Sequence, residues 1–200
     1  MPQIKNNINE IFRIRNETET SADLYFYGDI VSDRWSAWSD EDQYPEAIQQ
    51  LLKGQEGKDL NIYINSGGGD VFAGMAIYNI IKRHTGFKTV YVDGLAASIA
   101  SVIAMAGDRL VMPKNAFLMI HKPWSFVIGN ANDMLKEIEL LNAIEQSIVN
   151  IYAEHLADNV DTETIAKMVD AETWLTGEQA AEYFSVDVAA EKQIAACTNA

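Results

Sequence analysis

Residues 94–101, "GLAASIAS", combine two serines with mostly small side chains and directly follow the β-branched run "KTVYVDG". Small side chains allow a close backbone approach, so this segment suits a tight turn from a strand into a helix. Ser98 stands at the head of that helix, where free backbone N–H groups and the positive helix end would lie beside its hydroxyl. A nucleophile beside such donors is what acyl transfer needs. A serine here can also act only as a helix N-cap, and that alternative stays open.

His121 is the candidate base for such a nucleophile. It ends the apolar run in "FLMIHKP", where a strand-end side chain can face a neighbouring site. His84 and His155 lie at polar helix ends, and we expect both at the surface.

Two acids could orient the imidazole of that base. Asp170 and Glu172 stand in "VDAETW", so the chain order is serine, histidine, acid. If the segment is extended, side chains two residues apart point to the same side, and periodicity does not choose between the two carboxylates.

A second strand-to-helix turn, "NSGGGD", adds further backbone N–H donors to the predicted anion site. The alternative for a glycine turn is a dinucleotide or phosphate loop. The segment "GGGDVFAG" has neither the GxGxxG nor the GxxxxGK[ST] spacing, which disfavours that alternative.

The elements that must position these residues alternate between strands and helices. Strands are predicted in "ADLYFYGDIV", "LNIYINS" and "KTVYVDG", with helices between them, followed by two short strands in "RLVMPKNAFLMIHKP". A long amphipathic helix is expected from about residue 132 to 156, with Asn130 or Asn132 as N-cap, and a shorter helix begins after Thr176. The pattern predicts an α/β fold with a largely parallel sheet.

Composition narrows the function classes. A formal net charge of -14 opposes binding to a phosphate backbone, so we expect no nucleic-acid partner. No apolar run reaches the roughly 18 residues of a membrane span, and the polar start lacks a secretory signal, so we expect a soluble, cytoplasmic protein. Cys197 is the single cysteine, which excludes an intrachain disulfide, and no Cys or His pair stands at ligand spacing. We therefore expect no metal and no cofactor.

Four segments resemble the ClpP family of serine peptidases, in the same order and at nearly the same spacing: "INSGGGDVFAGMAIYNII", "GLAASIAS", "MIHKP" and "WLTGEQAAEYFSVD". The resemblance implies a ClpP-like or crotonase-like α/β fold of repeated β-β-α units with a long protruding helix. It divides the chain into a variable segment 1–22, a peptidase domain 23–190 and a tail 191–200. It also implies a homo-oligomeric ring, expected as stacked heptamers, that acts on protein or peptide substrates.

The resemblance further implies residue roles. Ser98 would be the nucleophile and His121 the base, while the backbone N–H groups of Gly69 and Ile99 would form the oxyanion hole. Substrate binding would fall to Gly68 and Pro123. Gly67 replaces a proline of the family turn. The triad acid aligns best with Glu172, and Asp170 remains the alternative.

The first 20 residues do not resemble the ATPase-docking loops of the family. The "DAETW" segment and the divergent first 20 residues instead resemble the phage and prophage branch of the family, whose members are linked to head maturation without an unfoldase. We therefore expect an ATP-independent serine endopeptidase of the prophage capsid-maturation type, with a capsid protein or a separate ATPase as a further partner. The alternatives are a housekeeping proteolytic subunit with a separate ATPase, an acyl-CoA hydratase or isomerase of the same fold, and a non-enzymatic ring scaffold.

Overall fold

The computed structural model describes residues 14–189. Most of the predicted variable segment 1–22, the tail 191–200 and Cys197 lie outside the described residues. Within the described part, no helix is both long and apolar enough to cross a bilayer, and no group of three or more His, Cys, Asp or Glu side chains could hold a metal ion.

One sheet contains all eight strands of the described region, in the order β1-β2-β3-β4-β5-β8, with β6 paired to β4 and β7 paired to β6. The strands are β1 (Ile14–Arg15), β2 (Ser21–Tyr27), β3 (Asp59–Ser66), β4 (Lys88–Ala97), β5 (Arg109–Pro113), β6 (Phe117–Ile120), β7 (Thr173–Thr176) and β8 (Val186–Ala189). The helices are α1 (Pro45–Leu52), α2 (Val71–Lys82), α3 (Ile99–Ala104), α4 (Ala131–Ala153), α5 (Thr162–Asp170) and α6 (Gly177–Tyr183).

The strand pairing confirms the predicted α/β class. β2, β3, β4 and β5 are parallel neighbours, as are β4 with β6 and β5 with β8, while β1–β2 and β6–β7 are antiparallel. β3 alternates buried and more accessible side chains, as a strand with one face on the core does. On its accessible face, Tyr25, Tyr63 and Tyr91 stack across three strands with ring centroids 4.8 and 5.1 Å apart.

A register shift in β4 brings the two strand-to-helix turns together. Ile64 of β3 pairs with Val92, but Ser66, two residues on, pairs with Ala96, four residues on. The first half of β4 pairs with β5, and its last three residues pair instead with β6. β4 therefore ends beside both β3 and β6, the strands that precede the glycine turn and His121.

Helices α2 and α3 pack closely because α2 carries a glycine at their contact. A Cβ added to Gly74 would lie 2.1 Å from Cγ1 of Ile99, so no larger residue fits there without movement. All six residues of α3 are buried, as the small and apolar sequence predicts. Gly74 thus allows Ile99, the first residue of α3, to lie directly against helix α2.

Helix α4 has two unlike halves. Asn130 caps it in a capping box with Asp133, and its 23 residues extend about 34 Å. The predicted long helix is confirmed, with ends one to three residues from those expected. The buried residues all lie in its second half: Ile144, Ile148, Val149 and Tyr152. The first half exposes large apolar side chains: Met134, Leu135, Ile138 and Leu140.

Candidate active site

Ser98 occupies the sharp turn between β4 and α3. Its φ of 55° and ψ of -129° place a non-glycine residue in a sparsely populated region, which costs about 1–3 kcal/mol. The backbone N–H of Ser98 donates to the Met119 carbonyl at 3.0 Å, which ties the turn to β6. Its side chain makes no capping hydrogen bond to α3. The N-cap alternative therefore does not explain this serine.

His121 follows β6 and reaches Ser98. Nε2 of His121 lies 2.7 Å from Oγ of Ser98, a hydrogen-bond distance, and the His121 side chain is only 17% exposed. The pairing of Ala97 with Met119 explains this contact, because it places the residues that follow the two strands side by side.

The other two histidines do not line this cleft. Nε2 of His84 bonds to the Lys58 carbonyl at 2.7 Å. Both side chains are partly buried, so the expected surface position is wrong for both, and Nε2 of His155 has no hydrogen-bond partner among the described residues. Burial, followed by the charge of Lys82, lowers the pKa of His155.

The two candidate acids, Asp170 and Glu172, stand at and just after the end of helix α5 and contact different partners. Asp170 is the last residue of α5, and its Oδ1 lies 2.6 Å from Nζ of Lys122. This hydrogen bond raises the pKa of Lys122. Glu172 follows with a φ of 50°, and its Oε2 lies 4.0 Å from Nδ1 of His121. The segment is therefore not extended, because a helix ends at Asp170 and Glu172 is left-handed, and the two carboxylates reach different partners.

The glycine turn approaches Ser98 closely at one residue only. Gly68 has a φ of 98°, and a Cβ there would lie 2.8 Å from Cβ of Ser98 and from the Ala97 carbonyl oxygen. Gly69 has a φ of 143° and leaves no room beside Ile30. Gly67 faces open space, since a Cβ there would meet no atom within 4 Å.

Two backbone N–H groups at the cleft have no backbone acceptor among residues 14–189. The Ile30 N–H donates to the Gly68 carbonyl at 2.8 Å, and the Asp70 N–H donates to the Ile30 carbonyl at 2.7 Å. This bridge does not use the N–H of Gly69. Ile99 is the first residue of α3, so its N–H has no acceptor within that helix. Gly69 and Ile99 both line the cleft beside Ser98.

The cleft has a volume of about 580 Å³ and is largely apolar on its walls. Pro123 lines it, whereas Gly68 packs against Ser98 and is not among the lining residues. Sequence reasoning missed Phe72 and Trp124, which also line the cleft. The signal for both was their place directly after a predicted turn or strand end, with Trp124 79% exposed.

Comparison with known proteins gives a consistent result. The model of the family described as Clp protease matches residues 30–193. The ATP-dependent Clp protease proteolytic subunit 1 of Streptomyces avermitilis is 36% identical over 141 residues, 68% of this chain and 64% of that protein. Proteolytic subunit 2 of Corynebacterium diphtheriae is 36% identical over 133 residues, 65% of each. The chain thus spans somewhat less than two thirds of the length of these relatives.

The geometry yields a prediction about the orienting acid. Glu172→Gln should lower peptide turnover by at least about 10-fold, because an acid that holds the imidazole tautomer can contribute up to about 10⁴-fold. Asp170→Asn, which removes only the charge paired with Lys122, is the matched control and should stay within about twofold of the parent. Steady-state kinetics on a fluorogenic peptide measures both. A crippled Asp170→Asn with a nearly normal Glu172→Gln would instead make Asp170 the acid.

Proposed function

The chain belongs to the Clp protease family, and on that premise we propose that it is a serine-type endopeptidase working through an acyl-enzyme. The observation that supports this most is the 2.7 Å contact between Oγ of Ser98 and Nε2 of His121 at the head of α3. A strained serine on a strand-to-helix turn beside a histidine is the arrangement that exposes a nucleophile to its base.

In the first half of the proposed reaction, Nε2 of His121 takes the proton of Ser98 while Oγ attacks the scissile carbonyl carbon. The carbonyl oxygen becomes an oxyanion that accepts hydrogen bonds from the N–H groups of Gly69 and Ile99. One such donor contributes about 3–4 kcal/mol in a comparable protease. The tetrahedral intermediate then collapses, the C–N bond breaks, and His121 gives its proton to the leaving amine.

In the second half, water replaces the amine. His121 takes a proton from the water as its oxygen attacks the acyl carbon, and the same two N–H groups hold the new oxyanion. The ester bond to Ser98 breaks, and His121 returns the proton to Oγ. Glu172 would hold the imidazole in the tautomer with Nδ1 protonated, and its Oε2 lies 4.0 Å from that nitrogen.

A serine-hydrolase probe tests this proposal directly. A fluorophosphonate should label one residue, Ser98, and Ser98→Ala should abolish both labelling and peptide cleavage with the fold unchanged. Ser185→Ala is the matched control, because the Ser185 hydroxyl donates to the Leu156 carbonyl and Ser185 does not line the cleft. Labelling that persists in the Ser98→Ala protein would refute the proposal. A hydratase of this fold or an inert scaffold would not be labelled at all.

Assembly into homo-oligomeric rings, expected as stacked heptamers, is the second part of the proposal. Large apolar side chains are concentrated between residues 124 and 140, and a patch of this size usually marks an interface. Its most exposed members are Trp124, Phe126, Ile128, Leu135 and Ile138. Burial of this patch against a second copy of the chain would remove it from water.

Light scattering at micromolar concentration should therefore report an oligomer. Leu135→Asp combined with Ile138→Asp should shift the mass toward a monomer, because burial would desolvate two carboxylates. Lys53→Asp is the control: Lys53 is exposed directly after α1 and lies outside the segment 124–140, so the oligomer should persist. A parent protein that scatters as a monomer would contradict the ring.

The last part of the proposal concerns whether this protease needs a separate ATPase to unfold its substrates. The resemblance of "DAETW" and of the first 20 residues supports head maturation without an unfoldase, acting on a capsid protein. A second candidate, a proteolytic subunit working with a separate ATPase, is favoured by the relatives, which are named ATP-dependent Clp protease proteolytic subunits.

Casein and a short fluorogenic peptide separate these two roles. Under the first, the purified chain degrades both without ATP, since an unstructured protein needs no unfolding. Under the second, the chain alone cleaves only the peptide, and casein is degraded only after a Clp ATPase and ATP are added. Casein cleavage that absolutely requires the ATPase would therefore contradict the head-maturation role.

A further inference from the structure

Two buried hydroxyls join the long helix to the backbone of the nucleophile. The hydroxyl of Tyr152 in α4 lies 2.7 Å from Oγ of Ser101 in α3, and both residues are at most 1% exposed. The Tyr152 ring is held edge-on against Phe184, with centroids 5.8 Å apart. Oγ of Ser101 lies in turn 2.5 Å from the carbonyl oxygen of Ser98.

The donors in this chain of hydrogen bonds are fixed by the chemistry of the groups. A carbonyl oxygen can only accept, so Ser101 must donate its single hydroxyl proton to Ser98. Oγ of Ser101 can then only accept from Tyr152, whose phenol donates. Burial raises the pKa of Tyr152, so the phenol keeps the proton that this role requires. The direction is therefore Tyr152 to Ser101 to the Ser98 carbonyl.

The last acceptor in this chain belongs to the peptide unit of the oxyanion hole. The Ser98 carbonyl and the Ile99 N–H lie in one planar trans peptide, where they point in opposite directions. Anything that anchors the carbonyl therefore also sets the direction of the N–H. The Ser101 N–H adds a second anchor to the same carbonyl at 3.0 Å.

We propose that Tyr152 and Ser101 are positioning residues that hold the Ser98–Ile99 peptide so that the Ile99 N–H faces the developing oxyanion. This inference rests on the proposed function, since it assigns work to the oxyanion hole of that site. Tyr152 is among the residues that line the cleft, but its hydroxyl is bonded to Ser101, and in this role both hydroxyls act through the peptide and not on substrate. The strained φ of Ser98 makes such support necessary, because an unanchored peptide would relax toward a commoner conformation.

A double-mutant cycle tests the proposal. Tyr152→Phe removes one oxygen and keeps the ring against Phe184. It should lower kcat for a fluorogenic peptide by about 10-fold, with KM within twofold, because the lost interaction acts only in the transition state. Ser101→Ala should lower kcat at least as much. Adding Tyr152→Phe to Ser101→Ala should change nothing further, because the tyrosine acts through the serine.

Two further readouts distinguish positioning from general loss of structure. The pH profile of kcat/KM should be unchanged in Tyr152→Phe, because His121 is not in the chain of hydrogen bonds. Tyr78→Phe is the matched control: Tyr78 is also a buried tyrosine, on α2 and outside the cleft, and its loss of hydroxyl should leave kcat unchanged. A Tyr152→Phe protein with parental kcat, or additive effects in the double mutant, would overturn the proposal.

The positioning role of Tyr152 and Ser101 can also be tested without measuring turnover. If the parent neither cleaves peptides nor reacts with a fluorophosphonate, the proposed function fails, and crystal structures of the parent and Tyr152→Phe then decide the positioning claim. The Ser98–Ile99 peptide should be rotated in the variant relative to the parent. An unrotated peptide would contradict the claim.

Discussion

The unfavourable backbone conformation of Ser98 is the constraint on which the rest of this structure depends. A φ of 55° costs about 1–3 kcal/mol and persists only where surrounding contacts over-determine it. Those contacts come from four directions: the Met119 carbonyl on β6, the close approach of Gly68, the buried body of α3, and the hydroxyl of Ser101. The core thus offsets the strain that exposes one hydroxyl to the cleft.

The same constraint explains several local departures from regular structure. The register shift in β4 lets the strand leave β5 and end against β6, so that Ser98 and His121 follow neighbouring strands. Gly74 allows α3 to pack closely against α2. The β-bridge between Ile30 and Gly69 holds the glycine turn in place next to Ser98. Together these departures bring the serine, the histidine and the backbone donors to one cleft.

Local patterns in the sequence predict the strands, the long helix and the serine and histidine that meet at 2.7 Å. They fail where distant segments decide the outcome. The end of helix α5 at Asp170 is one such case. The helix runs to that residue with Ile165 and Val169 buried, and the sequence alone does not reveal what covers them. Tyr152 gave no signal either: its partner Ser101 lies 51 residues away, and only the fold brings the two hydroxyls together.

The central claim is that Gly69 and Ile99 present their N–H groups to an oxyanion formed on Ser98. A crystal structure of the fluorophosphonate adduct tests it most directly, because the phosphonyl oxygen stands where the oxyanion would. We expect an adduct on Oγ of Ser98 whose phosphonyl oxygen lies about 2.7–3.1 Å from both backbone nitrogens. A phosphonyl oxygen turned toward solvent, with neither N–H in reach, would contradict it.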